Sequence, residues 1–472
     1  DDKSPGALVF RAELPALGYR VYRLLPGDPV APTDSPLSGS ALSDSALSDS
    51  ALSDSALSVS ETVLENAHAR IEVDPATGWL SSYLLKDSGI DVLAGTDPST
   101  HTQVNEDPTD TWGHRVLSYA WQGAAMTLER IVVRESGPLR SRVRIERSWG
   151  RSTFVEELLL DVDSPYLTVN ATLDWREPAH LMKLRFPVAL DNPVGTYEIP
   201  YGSLERPVDG AEEPGQAWID LTGTAAGAPA GLTVVTTNKH GYDVSPAGED
   251  GTPSIGITAV RSPVYSWHDP RLLSDESIYA YQDQGVQRFS YRLVPHGGDW
   301  RTAQPARMAA LLGQPVRAQL ESFHEGTLPS SLSFLSDGGG QVMVTAVKGS
   351  EDAADRPGGA DLIVRAVETT GAPARVTLDL PIAGRTLDLE FGPSQIRTFR
   401  IPADPGADPV EVDLVEWPLD GREGASARAA ESLGEPAAEP QAPGEPVDAA
   451  ETLTPAERIG TDPEARLPGS GQ

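Results

Sequence analysis

Residues 139–161 read Leu139-Arg140-Ser141-Arg142-Val143-Arg144-Ile145-Glu146-Arg147-Ser148 and, after a short break, Phe154-Val155-Glu156-Glu157-Leu158-Leu159-Leu160-Asp161. Both runs have strand length and strand residues, and neither carries the spacing of an amphipathic helix. The same signal recurs on either side, at Leu128–Arg134, Leu167–Asp174, Met182–Leu190, Leu232–Thr237, Ile255–Val260 and Arg288–Val294. Upstream, Arg70–Val73 followed by Asp74-Pro75-Ala76-Thr77-Gly78 is a strand entering a turn. Short strands punctuated by turn residues predict an all-β fold, a sandwich or barrel. We expect one large antiparallel β-sandwich over residues 61–312, with a single short helix near Ala303–Leu312.

A second β unit is expected over 313–418, from Leu332–Phe334, Val342–Lys348, Leu362–Glu368, Arg375–Leu380, Thr386–Phe391 and Gln395–Ile401. Six short strands suit a small sandwich, and Glu411–Trp417 would add an edge strand. Residues 1–32 hold an isolated pair of strands, around Leu8–Leu14 and Tyr19–Leu24, whose sheet must be completed elsewhere. Residues 33–60 are a low-complexity linker in which Ser-Ala-Leu-Ser-Asp starts at Ser40, Ser45 and Ser50. A period of five matches neither helix nor strand, so its leucines build no lasting apolar face. Residues 419–472 are rich in Ala, Glu and Pro and hold no aromatic residue, which predicts a disordered acidic tail.

Composition narrows the function. A formal net charge of −32 opposes nucleic acid and anionic membrane, while neutral ligands such as sugars remain open. No stretch has the apolar length of a membrane span. The absence of cysteine removes disulfides, thiolate metal sites and cysteine nucleophiles together. The chain opens on Asp1-Asp2-Lys3-Ser4-Pro5 with neither a secretion-signal layout nor an initiator Met. The expected location is cytoplasmic.

The eight histidines form no His-x-His or His-Glu-x-x-His pattern, so no metal ligands are expected in this chain. Asp174 and Glu177 flank Trp175-Arg176 at a strand end, where a structural ion pair is the better reading than a glycosidase pair. Asp110, Trp112 and His114 alternate, so an extended strand would turn all three to one face. An acid, an indole and an imidazole together suit a sugar groove, the indole covering the C–H face of the ring. A surface turn with a half-buried Trp is the alternative. Glu198–Pro207 is a polar, aromatic run between two prolines; a rigid loop there would present Tyr201 and Arg206, or else form a structural crossover. Arg261, at a strand end before Ser262-Pro263, serves either a ligand or a salt bridge.

In order, these runs resemble the C-terminal region of glycoside hydrolase family 38, the α-mannosidases. The resemblance is carried by Leu14-Pro15-Ala16-Leu17-Gly18-Tyr19-Arg20-Val21-Tyr22, Leu64-Glu65-Asn66, Asp74–Gly78, Leu85-Lys86-Asp87, Asp174-Trp175-Arg176-Glu177 and Lys183–Val188. It continues through Glu198–Pro207, Gly241-Tyr242-Asp243, Arg261-Ser262-Pro263, Pro295–Trp300, Val344–Lys348 and Ile396–Phe399. The serine repeat and the acidic tail depart from it. The resemblance implies a galactose-mutarotase-like supersandwich followed by a smaller sandwich. It also implies a retaining exo-α-mannosidase whose zinc and Asp nucleophile belong to an N-terminal catalytic domain. The residues before Leu14 are too few to supply that domain, so the catalytic residues carry over onto nothing here. The partners expected are that domain, on the same or a separate chain, and a mannose-containing oligosaccharide. The candidate substrate contacts are Asp110, Trp112, His114, Tyr201, Arg206 and Arg261. The rival readings are a stand-alone carbohydrate-binding module and, more remotely, a mutarotase-like enzyme using a His/Glu pair.

Overall fold

In the strand Arg140–Trp149 every second residue is buried, and in its neighbour Ser152–Asp161 the alternation repeats. A period of two is what a sheet with one face on a core requires. The computed structural model describes residues 8–24, 57–114, 116–246, 252–274, 276–337, 340–352 and 361–419. The serine repeat up to residue 56 and the acidic tail from residue 420 lie outside the described residues. The two strands are joined at Gly150-Arg151, where Gly150 has φ +58 and a Cβ would stand 2.8 Å from a Glu177 carboxylate oxygen. Glycine is required there on both counts.

Nine antiparallel strands form the largest sheet. In spatial order they are Gly202–Arg206, Asp191–Ile199, Trp218–Ala225, Ala228–Thr236, Gly285–Gly297, Leu167–Trp175, Ser152–Asp161, Arg140–Trp149 and Thr127–Ser136. A six-stranded sheet runs Glu213–Pro214, Gly241–Ser245, Ser254–Arg261, His180–Pro187, Thr102–Glu106, Ala124–Ala125. A five-stranded sheet joins Ser58–Val59, Val63–Glu65, Ala69–Val73, Leu80–Leu85 and Ile90–Asp91. One core draws on all three, with Phe154, Leu158 and Trp175 from the first, Leu184, Phe186 and Ile257 from the second, and Ile71 and Tyr83 from the third. The fold is thus an all-β, antiparallel sandwich without a barrel. The expected short helix is Pro305–Gly313, which lays Met308, Ala309 and Leu312 against Trp218, Val235 and Trp300. Among the described residues no helix is long and apolar enough to cross a membrane.

Two expectations need correction. The run Glu198–Pro207 is a hairpin rather than a loop: Asp191–Ile199 pairs with Gly202–Arg206 around a turn at Pro200-Tyr201. Its prolines sit where a ladder tolerates them, Pro193 at a register shift, Pro200 in the turn and Pro207 past the edge strand. Residues 8–24 supply one strand instead of a pair. Gly18–Arg20 joins Ser331–Ser333 in a two-stranded sheet.

That pair belongs to the second of two compact units, formed by Glu13–Val21 and the described residues of Glu325–Ala465. Its main sheet orders Val342–Gly349, Leu362–Glu368, Ile396–Ile401 and Val410–Val412, beside the hairpin Ala374–Leu380/Arg385–Phe391. Leu335, Val364, Leu378 and Phe399 fill its core. The edge strand expected within Glu411–Trp417 is Val410–Val412.

On the strands Arg140–Trp149 and Ser152–Asp161 two charged side chains occupy inward positions, Arg147 and Glu156, both under 3% exposed. Arg147 pairs with Glu156 and also donates to the Thr77 carbonyl at 3.3 Å and the Gly78 carbonyl at 2.7 Å. The other carboxylate oxygen of Glu156 meets His101 Nε2 at 3.1 Å and accepts from the Tyr291 hydroxyl at 2.5 Å. Burial alone would raise the Glu156 pKa, but His101, Arg147 and Tyr291 outweigh it and bring it down to about 2. A depressed carboxyl contributes stability above its unfolded value, and that contribution is lost as pH falls toward the folded value. Replacing Glu156 by Gln leaves the Arg147 guanidinium buried and uncompensated, at a cost of about 3 kcal/mol or more. Urea titrations followed by tryptophan fluorescence should show a stability gap between wild type and Glu156→Gln that is constant above pH 4.5. It should close as pH falls toward 2, and a gap indifferent to pH would refute the charge assignment.

Candidate functional site

Strand Thr102–Glu106 and strand Ser254–Arg261 flank the same neighbour, His180–Pro187, with Glu106 opposite His180 and Arg261 opposite Leu181. Both are antiparallel to that strand, so both end at its beginning. The segments that follow them, 107–114 and 262–269, therefore emerge side by side.

Arg261 fastens the two together. Its Nε lies 2.6 Å from the buried Asp107 carboxylate, and its Nη2 donates to Thr109 Oγ1 and to the Asp110 carbonyl, each at 2.6 Å. Nη1 donates to the Thr111 carbonyl at 2.9 Å. Thr111 completes the stitch, its N–H reaching the Trp267 carbonyl and its hydroxyl the Val264 carbonyl at 2.7 Å. A planar cation with five donors in a fixed fork can hold these four chain positions at once, one more than the three donors of an ammonium.

Of the two readings of residues 110–114, a surface turn and an extended strand, the structure has the turn. The turn closes because Asp110 Oδ1 accepts the His114 N–H at 3.0 Å and Gly113 takes φ +66 directly over the Arg261 guanidinium. Alternation therefore does not orient these side chains. Asp110 points inward, while the His114 imidazole folds back onto it, Nδ1 to Oδ2 at 2.6 Å. Asp110 Oδ2 also accepts the Asp269 N–H at 3.0 Å. Burial opposes ionisation of Asp110, but the hydrogen bonds from His114 and the Asp269 N–H prevail and hold its carboxyl well below the usual range.

Outside this buried acid stand three exposed rings. Trp112 is 60% exposed, and its ring lies 5.3 Å from that of His268 and 6.4 Å from that of His114. The two imidazoles are 4.6 Å apart between centres. One possible ligand atom each from Asp110, His114 and His268 lies within 4.8 Å of the others. The sequence reading gave no metal ligands to this chain and left His268 among the solitary histidines. Nothing in its local spacing marked it; strand register alone brings it beside His114.

Four of the six candidate contacts thus gather in one place, Asp110, Trp112 and His114 on the turn and Arg261 beneath it. The other two belong to the edge hairpin. Tyr201 is exposed at its turn with φ +58. Arg206 is engaged with Glu213 at 3.3 Å, the Pro214 carbonyl at 2.7 Å and the face of Tyr197. Asp174 and Glu177 are structural, as expected: Asp174 pairs with Arg176 at 2.6 Å, and Glu177 accepts the Arg151 N–H at 2.6 Å.

Comparison with known proteins converges on one family. The family described as "Glycosyl hydrolases family 38 C-terminal domain" matches residues 64–271, a span that includes every site residue above. Alpha-mannosidase 2C1 of Mus musculus is 28% identical over 272 residues, 54% of this chain and 24% of that protein. The Homo sapiens protein of the same name is 27% identical over 337 residues, 68% of this chain and 29% of its own length. The chain thus spans about a quarter of the curated relatives it matches. Among solved structures, an alpha-mannosidase from Enterococcus faecalis V583 superimposes with a TM-score of 0.58 at 17% identity, covering 73% of this chain and 43% of that one. Such a likeness speaks for the shared sandwich fold. Residues 64–271 are thus similar to the C-terminal domain of family 38 glycosyl hydrolases.

Proposed function

We propose that the chain is the non-catalytic C-terminal portion of an α-mannosidase, packing on an N-terminal catalytic domain and offering the Asp110–His114 turn to the mannoside. The observation that carries this reading is the family match over 64–271 together with the exposed Trp112 held on that turn. The zinc and the nucleophile that the family implies carry over onto no residue here, so no catalytic step is assigned to this chain. An exposed indole beside hydrogen-bonding imidazoles suits a pyranose, whose C–H face packs on the ring while its hydroxyls meet the nitrogens. Arg261 acts below the surface, as the positioning residue of the turn. Tyr201, at the tip of the edge hairpin, is a second contact candidate, with Arg206 pinning that hairpin from below.

Turnover of an aryl α-mannoside is expected only when the chain is combined with an N-terminal domain. Brisk zinc-dependent hydrolysis by the chain alone would contradict the proposal. Calorimetry of the chain against α-mannosyl oligosaccharides should show binding that weakens about tenfold in Trp112→Ala, a loss of about 1.4 kcal/mol. Binding of undiminished strength in that variant would move the sugar site elsewhere. A separate check addresses Arg261. Arg261→Lys should accelerate amide hydrogen exchange across residues 107–114 while leaving the core strand Ser152–Asp161 protected. Equal acceleration in both would make Arg261 a general stability residue.

A further inference from the structure

We infer that His114 and His268, backed by Asp110, form a binding site for one divalent transition-metal ion of zinc-like preference. This goes beyond the sugar reading and does not depend on it.

Both imidazoles have their Nδ1 committed. That of His114 faces the Asp110 carboxylate, and that of His268 faces the Asp269 carbonyl oxygen. Neither oxygen donates, because both Asp110 oxygens accept backbone N–H groups, from His114 and Asp269, and the other is a peptide carbonyl. The ring proton therefore resides on Nδ1 in each case, and Nε2 keeps its lone pair. A histidine fixed by a carboxylate behind it, with the far nitrogen bare, is the arrangement that metal-binding histidines use. Two imidazoles sharing one tetrahedral ion at about 2.0–2.1 Å per nitrogen have ring centres roughly 5 Å apart. Here the separation is 4.6 Å.

The surrounding charge favours a cation. Arg261 lies directly beneath, but its charge is matched by Asp107, so Asp110 remains as the net negative group at the site. The whole chain is strongly anionic, which raises the local concentration of cations. Two imidazole nitrogens select a borderline ion such as zinc, nickel or cobalt over magnesium or calcium, which prefer all-oxygen shells. Water would complete the coordination, since both rings are exposed.

The test uses the full chain stripped of metal and titrated with zinc chloride alone by equilibrium dialysis. The expected result is saturable binding, lost in His114→Ala/His268→Ala. Asp110→Asn should weaken it about tenfold to hundredfold, as removal of an orienting carboxylate does elsewhere. Circular dichroism of each variant establishes that the fold is intact. The double variant changes only exposed rings, so it remains informative should Asp110→Asn fail to fold. A second readout follows from Trp112 lying 5.3 Å from His268. Cobalt should quench part of the tryptophan emission with a saturable midpoint, and that component should vanish in Trp112→Phe. Absence of saturable zinc binding by the wild-type chain would overturn the inference. So would zinc binding of equal affinity in the double variant, which would assign the ion to other surface groups.

Discussion

The carboxylate of Glu156 is the constraint around which the first unit is assembled. It sits on a core-facing position of the nine-stranded sheet and is fully enclosed. Its three partners come from two sheets: Arg147 and Tyr291 from its own, and His101 from the start of the six-stranded one. Arg147 then spends its remaining donors on the carbonyls of Thr77 and Gly78, at the turn leading into Leu80–Leu85 of the third sheet. A buried ion pair is not in itself a source of stability, because desolvation offsets much of the attraction. Its effect is selective. A one-residue slip in any of these strands would turn a charged group away from its partners and leave the others unsatisfied in the core.

The second guanidinium, Arg261, applies the same principle at the rim. A strand end carries backbone groups that have run out of ladder partners and must be satisfied by something else. At Thr102–Glu106 and Ser254–Arg261 one side chain supplies donors to the carbonyls of Asp110 and Thr111 and a counter-ion to Asp107. Gly113 is required because the turn closes above that guanidinium with a positive φ. Loops fixed in this way hold exposed aromatic and imidazole groups with little loss of entropy on binding.

Much of this fold is legible in the sequence. Val143 and Ile145, then Phe154 and Leu158, establish which parity faces inward, and the turns between strands are marked by glycine, proline and aspartate. The same parity places Arg147 and Glu156 inside, so the buried pair was written there too. Composition-based reasoning passes over it because it treats charge as surface. The hairpin at Pro200-Tyr201 was obscured by its prolines, which read as a loop although each occupies a position where no ladder hydrogen bond is needed. At the candidate site, Asp110, Trp112, His114 and Arg261 were each visible as chemistry. Their convergence, and the arrival of His268, were not, because these depend on which strand pairs with His180–Pro187. The turn, rather than alternation, governs the 110–114 segment for a local reason: an aspartate four residues ahead of a histidine, with a glycine between, closes a turn by side-chain hydrogen bonds that strand periodicity ignores.

Topology then explains why ligand chemistry gathers at this edge of the sandwich. Strands antiparallel to a common neighbour deliver their outgoing loops to the same end, whatever their distance along the chain. Those loops can vary without touching the core, since the strands beneath are fixed by the Glu156 network and by apolar packing. The Asp110 turn combines an inward, ionised acid with outward rings, so the charge that orders the site is kept away from the face that meets a ligand. An exposed carboxylate in its place would be hydrated and mobile, and would orient nothing. Burying the acid and exposing the imidazole converts one charge into a directed lone pair, and the proposed recognition of a hydroxyl or an ion rests on that conversion.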